Sequence, residues 1–225
     1  MKIPLFIFGT CLSSFIYANI FRSKHKDFNL RSHCDKCNKQ LRWWMLVPIV
    51  SYFLLKGRCY YCKEKLSIIY PIYELIGGLF FSYLAFYITN IKQLIIFSII
   101  ALSMLIMMAD DIQNNEINSL FNYLLLLIYL LIVPFSKDRL ISCLAISIIF
   151  LFLKLIYQEG IGLGDIEFII INTYPLNLYL SFKCLLIACL LALIVSYKKR
   201  KGIAMIPFLC LAYYFLIIRV LFFFF

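Results

Sequence analysis

What most constrains this chain is a series of long apolar runs with little polar sequence between them. Six read directly: Ile3–Phe21, Tyr70–Ile88, Leu94–Ala109, Leu120–Phe135, Leu140–Tyr157 and Leu178–Tyr197, with Ile203–Phe222 a seventh. Runs of about 17–25 apolar residues are long enough to cross the hydrocarbon of a bilayer as helices. An eighth, segment 166–176, is short and broken by Asn172 and Pro175, and periodicity does not say whether it crosses or dips in and returns. Of the 225 residues, 64% are hydrophobic and 15% charged, where soluble domains sit at about half and about a quarter. No single core of ordinary size hides that much apolar surface, which excludes a soluble enzyme and a disordered chain alike. The expected fold is an all-α polytopic membrane protein.

The net charge of +11 would suggest a nucleic-acid partner on a soluble protein. In a membrane protein Lys and Arg set orientation instead, so the expected partner is the lipid bilayer and no nucleic acid. Segment 22–69 holds eleven Lys/Arg against Asp27, Asp35 and Glu64, which places it in the cytoplasm and the N-terminus outside. The second basic run, Lys198–Lys201, falls on the same side only if the short segment counts as a crossing, giving about eight transmembrane helices. The first run lacks a small-residue cleavage site, and most nearby charge follows it, so it reads as an anchor that stays. The expected organisation is a first helix at 1–21, a basic loop at 22–69 and a transmembrane core at 70–225.

The nine cysteines are not used alike. Cys11, Cys143, Cys184, Cys189 and Cys210 sit singly in apolar runs, as small buried hydrophobes do. Cys34, Cys37, Cys59 and Cys62 form two CxxC pairs in the basic loop, the pattern of a zinc ribbon, in which each pair offers two thiolates at one turn. The half-sites repeat, with Leu41 and Leu66 at the same offset from their pairs. Disulfides are the plainer alternative, disfavoured in the cytoplasm, where thiols stay reduced. His33 stands beside the first pair, but four cysteines already complete the shell. A closed four-thiolate site is structural and contributes about 10–16 kcal/mol toward folding its loop.

Acidic residues are scarce, and six of the eleven gather in two stretches free of Lys and Arg: Asp110, Asp111 and Glu116, then Glu159, Asp165 and Glu167. In the eight-span topology both stretches face the cytoplasm. Asp165 follows the glycine-rich Gly160–Gly164, whose glycines permit close backbone approach. An ionisable group at a span is a functional hypothesis by default; the bland reading is a solvated loop aspartate. Two aspartates side by side cannot both ionise cheaply, so one stays protonated while the other activates a water. The only histidines, His25 and His33, lie in the basic loop, so no Ser/His/Asp arrangement competes.

These residues, taken in order, resemble the type IV prepilin peptidases. The resemblance runs through Ser14-Phe15 with Arg22, the two CxxC pairs with Leu41-Arg42-Trp43 and Pro48 between them, and Gly57-Arg58-Cys59. It continues through Tyr70-Pro71 with Glu74-Leu75 and Gly77 or Gly78, the Gly162-Leu163-Gly164-Asp165 motif, and Ile206-Pro207-Phe208. The resemblance implies an aspartic protease whose catalytic residues are Asp165 and Asp111, with Asp110 the runner-up. Asn118-Ser119 replaces a usual Pro-Asn/Asp, Tyr17 a usual asparagine and Glu167 a frequent lysine. Asn38 and Lys63 stand where glycine often follows each pair.

The resemblance further implies cleavage of the basic leader of prepilins or competence pseudopilins, after a glycine, on the cytoplasmic side of a bacterial cell membrane. Some members also methylate the new N-terminus with S-adenosylmethionine; the residues leave open whether this chain does. A presenilin-like protease would need Pro-Ala-Leu where Ile206-Pro207-Phe208 stands. A non-enzymatic zinc-loop component of a pilus or secretion machine is the other alternative.

Overall fold

The computed structural model describes residues 2–25, 31–34, 36–88, 90–157, 162–196 and 204–224. Glu159, Gly160 and the Lys198–Lys201 run lie outside them. Among the described residues the chain is helical, with two isolated β-bridges. The helices are α1 (Lys2–His25), α2 (Val50–Leu54), α3 (Ile69–Leu84), α4 (Ile91–Asn114), α5 (Ser119–Ile132), α6 (Lys137–Ile156), α7 (Leu163–Thr173), α8 (Leu178–Ser196) and α9 (Ile206–Phe222). Each of the eight apolar runs has become a helix. By length and composition α1, α4, α6 and α8 can cross a membrane; α3, α5 and α9 are shorter apolar helices. The 11 residues of α7 rise about 16 Å, against roughly 30 Å of hydrocarbon.

Two boundaries differ from the sequence reading. The third run does not stop before its aspartates: α4 continues through Asp110 and Asp111, and Asn115 closes it at φ 53° in the left-handed region. Asn172 does not break α7 either. Its amide donates to Phe168 O at 2.8 Å, and its Oδ1 accepts from Tyr129 Oη of α5 at 2.9 Å. With its polar atoms satisfied, the residue continues the helix, which ends two residues before Pro175.

The chain forms two compact units, Met1–Phe86 and Tyr87–Phe225. In the first, α1 lies along α3 where small residues let the backbones close up. A Cβ at Gly9 would run into Gly77 O, and one at Gly77 into Ser13. In the second, α9 packs against α4 and α8, while α7 lies among α5, α6, α8 and α9. The buried face of α4 carries Phe97, Ile100, Met104 and Met108, and α9 contributes Tyr213, Tyr214 and Ile217. The exposed faces of α6 and α8 are apolar too (Leu144, Ile148 and Leu155; Leu186, Leu190 and Leu193), as a lipid-facing surface requires. Of the single cysteines, Cys184 and Cys210 are buried as expected, but Cys11 and Cys189 are exposed on their helices. Their helices turn those positions outward, where a small apolar side chain meets lipid at no cost.

Candidate metal centre and active site

The four loop cysteines come together. Their sulfurs all lie within 4.8 Å of one another, and Cys34 Sγ is 3.8 Å from Cys62 Sγ. A tetrahedral zinc with bonds of about 2.3 Å needs sulfurs about 3.8 Å apart. The donor set therefore fits zinc, with Cys34, Cys37, Cys59 and Cys62 as its ligands. All nine cysteines are free thiols.

Two copies of one local turn build the cluster. In the first, Cys34 N–H donates to Lys39 O at 3.1 Å and Asn38 N–H to Cys34 O at 2.8 Å. In the second, Cys59 N–H donates to Glu64 O at 2.8 Å and Lys63 N–H to Cys59 O at 3.0 Å. Leu41 and Leu66, the repeated leucines, close their knuckles through N–H bonds to Ser32 O and Gly57 O. Asn38 and Lys63 sit at φ 52° and 60°, which explains why glycine suits both positions. Burial pushes the Cys59 thiol up, but N–H groups of Cys62 and Tyr61 and the Cys34 and Cys62 thiols bring it down to about 7. Burial also raises Cys34.

Several motif residues hold this unit together. Arg22 of α1 donates to Ser32 Oγ at 2.7 Å. Glu74 of α3 accepts from Ile49 N–H at 2.6 Å and bonds the Ser14 side chain of α1. Ser13 Oγ donates to Glu74 O at 3.4 Å.

In the second unit, Asp111 is buried in the last turn of α4, and its Oδ2 accepts from Ile206 N–H at 2.9 Å at the start of α9. Met205 N–H bonds it as well. Pro207 follows in the first turn of α9, where its missing N–H is no loss. Met205 and Ile206, just ahead of Pro207, thus present backbone donors to a carboxylate, a role the sequence did not disclose. Asp165 lies in the first turn of α7 and accepts from Gly162 N–H at the helix cap. The Asp165 carboxylate lies near enough to Asp111 for its charge to act there. Asp110, half-buried, bonds Asn114 instead.

Gly164 explains how α7 comes so near. A Cβ there would stand 2.8 Å from Ile117 Cδ1 and 3.1 Å from Ile117 Cβ, so only glycine fits without displacement. Asn118 caps α5, its Oδ1 accepting from Leu120 N–H at 3.0 Å, and Ser119 Oγ donates to Glu167 Oε2 at 3.1 Å. The Asn118-Ser119 replacement therefore starts α5 and links it to α7. Glu116 is exposed. Sequence reasoning passed over Asn122, fully buried on α5 with no hydrogen-bond partner for either amide atom among the described residues. A lone Asn in an apolar run gave no spacing signal.

Residues 7–88 match the model of the bacterial peptidase A24 N-terminal domain. A prepilin leader peptidase/N-methyltransferase of Stutzerimonas stutzeri is 30% identical over 153 residues, covering 62% of this chain and 53% of the relative. One of the same name from Burkholderia pseudomallei is 33% identical over 148 residues, 61% of this chain and 48% of the relative. Another from Neisseria gonorrhoeae is 46% identical over 63 residues, 27% of this chain and 22% of the relative. The chain thus spans between about a fifth and about half of the length of these relatives. No solved structure matches the chain.

Proposed function

We propose, from its similarity to prepilin leader peptidases, that the chain is an intramembrane aspartic endopeptidase. It removes the basic leader of prepilins or competence pseudopilins after a glycine, on the cytoplasmic side, with the N-terminus outside. What carries this reading is that α7 brings Asp165 near enough to Asp111 of α4 for its charge to act there, with Asp111 held by the α9 backbone. One carboxylate takes a proton from a water whose oxygen attacks the scissile carbonyl carbon. The partner carboxyl gives its proton to the carbonyl oxygen. Collapse of the tetrahedral intermediate breaks the C–N bond, and the leaving amine takes up a proton. The pair titrates as a unit. Asp111 is preferred over Asp110 because it is the one that Asp165 influences and the one held by the α9 backbone.

Zinc, bound by the four thiolates, supplies structure to the loop and no step of the hydrolysis. The acidic residues around the pair draw the Lys-rich leader, so cleavage weakens with salt and again when leader lysines become glutamine. Equal rates across those substrates would remove this steering. The relatives' names join peptidase to N-methyltransferase. Transfer of labelled methyl from S-adenosylmethionine to the cleaved product tests whether this chain shares the second activity.

One observation favours a non-enzymatic assembly role: both aspartates accept backbone N–H groups at helix starts, which is a structural task in itself. Asp→Asn variants separate the readings, because asparagine keeps an acceptor oxygen and loses the acid–base function. Membranes carrying Asp111→Asn or Asp165→Asn should hold normal protein and produce no cleaved substrate.

A further inference from the structure

Between α1 and α3 the chain carries an apolar surface that neither helix covers. Trp43, Leu46, Val47, Val50, Phe53 and Leu54 are exposed, Trp43 by 81%, Phe53 by 69% and Leu54 by 68%. They lie on the one-turn segment Trp43–Leu46 and on the five-residue α2, neither long enough to cross a bilayer. Exposed leucines on α6 or α8 face lipid as any span does; this patch needs another explanation.

Its surroundings are cationic. Residues 36–58 include Lys36, Lys39, Arg42, Lys56 and Arg58 and contain no Asp or Glu. One cleft is lined by Leu54 and Leu55 together with Lys56, Arg58 and Lys63, so apolar and basic groups stand side by side. Segments that lie in a membrane interface have this character: a large apolar face, Trp at headgroup depth and a rim of Lys/Arg.

The backbone fixes how the patch is presented. Ile49, between Trp43–Leu46 and α2, sits at φ 61°, an unusual conformation for a β-branched residue. Its N–H donates to Glu74 of α3 at 2.6 Å. The patch is therefore anchored to an apolar helix, and both ends of its loop run into α1 and α3.

We infer that the Trp43–Leu54 face docks on the surface of the same bilayer that the helices enter. Its apolar side chains sink to the headgroup–acyl boundary, and Lys56, Arg58 and Lys63 meet the phosphates of anionic lipid. The cysteine knuckles are thereby held at the membrane face rather than out in solution.

The chain has two tryptophans, which makes the test direct. Trp44, unlike Trp43, packs edge-on against Tyr60 with ring centroids 5.5 Å apart. Full-length W44F, reconstituted in vesicles of phosphatidylcholine and phosphatidylglycerol, leaves Trp43 as the sole indole. Its emission should shift to the blue of a free indole in water. Lipids brominated near the headgroup should quench it strongly, and aqueous iodide weakly. Lys56→Gln with Arg58→Gln should reduce the lipid quenching. Emission quenched by iodide and untouched by brominated lipid would overturn the inference, as would a surface covered by protein, which both quenchers would miss. Retained zinc reports that W44F is folded; if it loses zinc, the difference between wild type and W43F gives the same reading.

Discussion

The two units bring reactive side chains together in opposite ways. The cysteine cluster is assembled locally: each half is a short turn that places two thiols through its own backbone hydrogen bonds, and the second half repeats the first. The aspartate pair is assembled at long range, by α4, α7 and α9, whose sequences say nothing of one another. A local site depends on what binds it, while a packed site depends on the helices around it. Damage to the first should therefore unfold a loop, and damage to the second should stop chemistry in an intact protein.

The largest expected effect is on the metal. Cys34→Ser or Cys59→Ser should abolish retention of about one zinc per chain, removing a contribution of about 10–16 kcal/mol to the loop. Metal analysis and protease sensitivity of residues 31–66 would show it. Acid should do the same reversibly, because ligands must be thiolates. A Cys59 thiol near 7 is partly ionised at neutral pH, and falling pH protonates it and releases metal. If zinc loss left the loop protease-resistant, the contrast between the units would fail.

A smaller effect tests the packed site. Gly164→Ala forces a methyl against Ile117 and should cost about 1–3 kcal/mol. Thermal unfolding should fall and cleavage slow, and Ile117→Ala in the same chain should restore part of both. Additive losses in the double variant would mean that the close approach plays no part. The smallest effect returns to the knuckles. Asn38→Gly and Lys63→Gly should raise resistance to chelators by about 1 kcal/mol or less each, more at Lys63, since asparagine already tolerates positive φ. A loss at either position would contradict the turn geometry.

What the sequence disclosed follows the same divide. The CxxC pairs and their leucines repeat at fixed spacing, and the structure builds two matching turns on that repeat. Apolar runs identified every long helix, because period and length are properties of single segments. The end of α4 was misplaced because carboxylates look like loop residues until a neighbouring helix offers them N–H groups, as Met205 and Ile206 do. Asn172 was read as a breaker because its partner, Tyr129, stands on another helix. Asn122 and the exposed Trp43–Leu54 face left no trace in spacing, since burial and exposure there are decided by tertiary packing.

The central claim is that Asp111 and Asp165 act as one catalytic pair. Its most direct measurement is cleavage of a purified pseudopilin precursor by wild type, Asp111→Asn, Asp165→Asn and Asp110→Asn in the same vesicles, followed by mass spectrometry. Wild type and Asp110→Asn should yield a product lacking the leader up to its glycine, while the other two yield none and keep their zinc. Cleavage surviving in Asp111→Asn or Asp165→Asn would contradict the account.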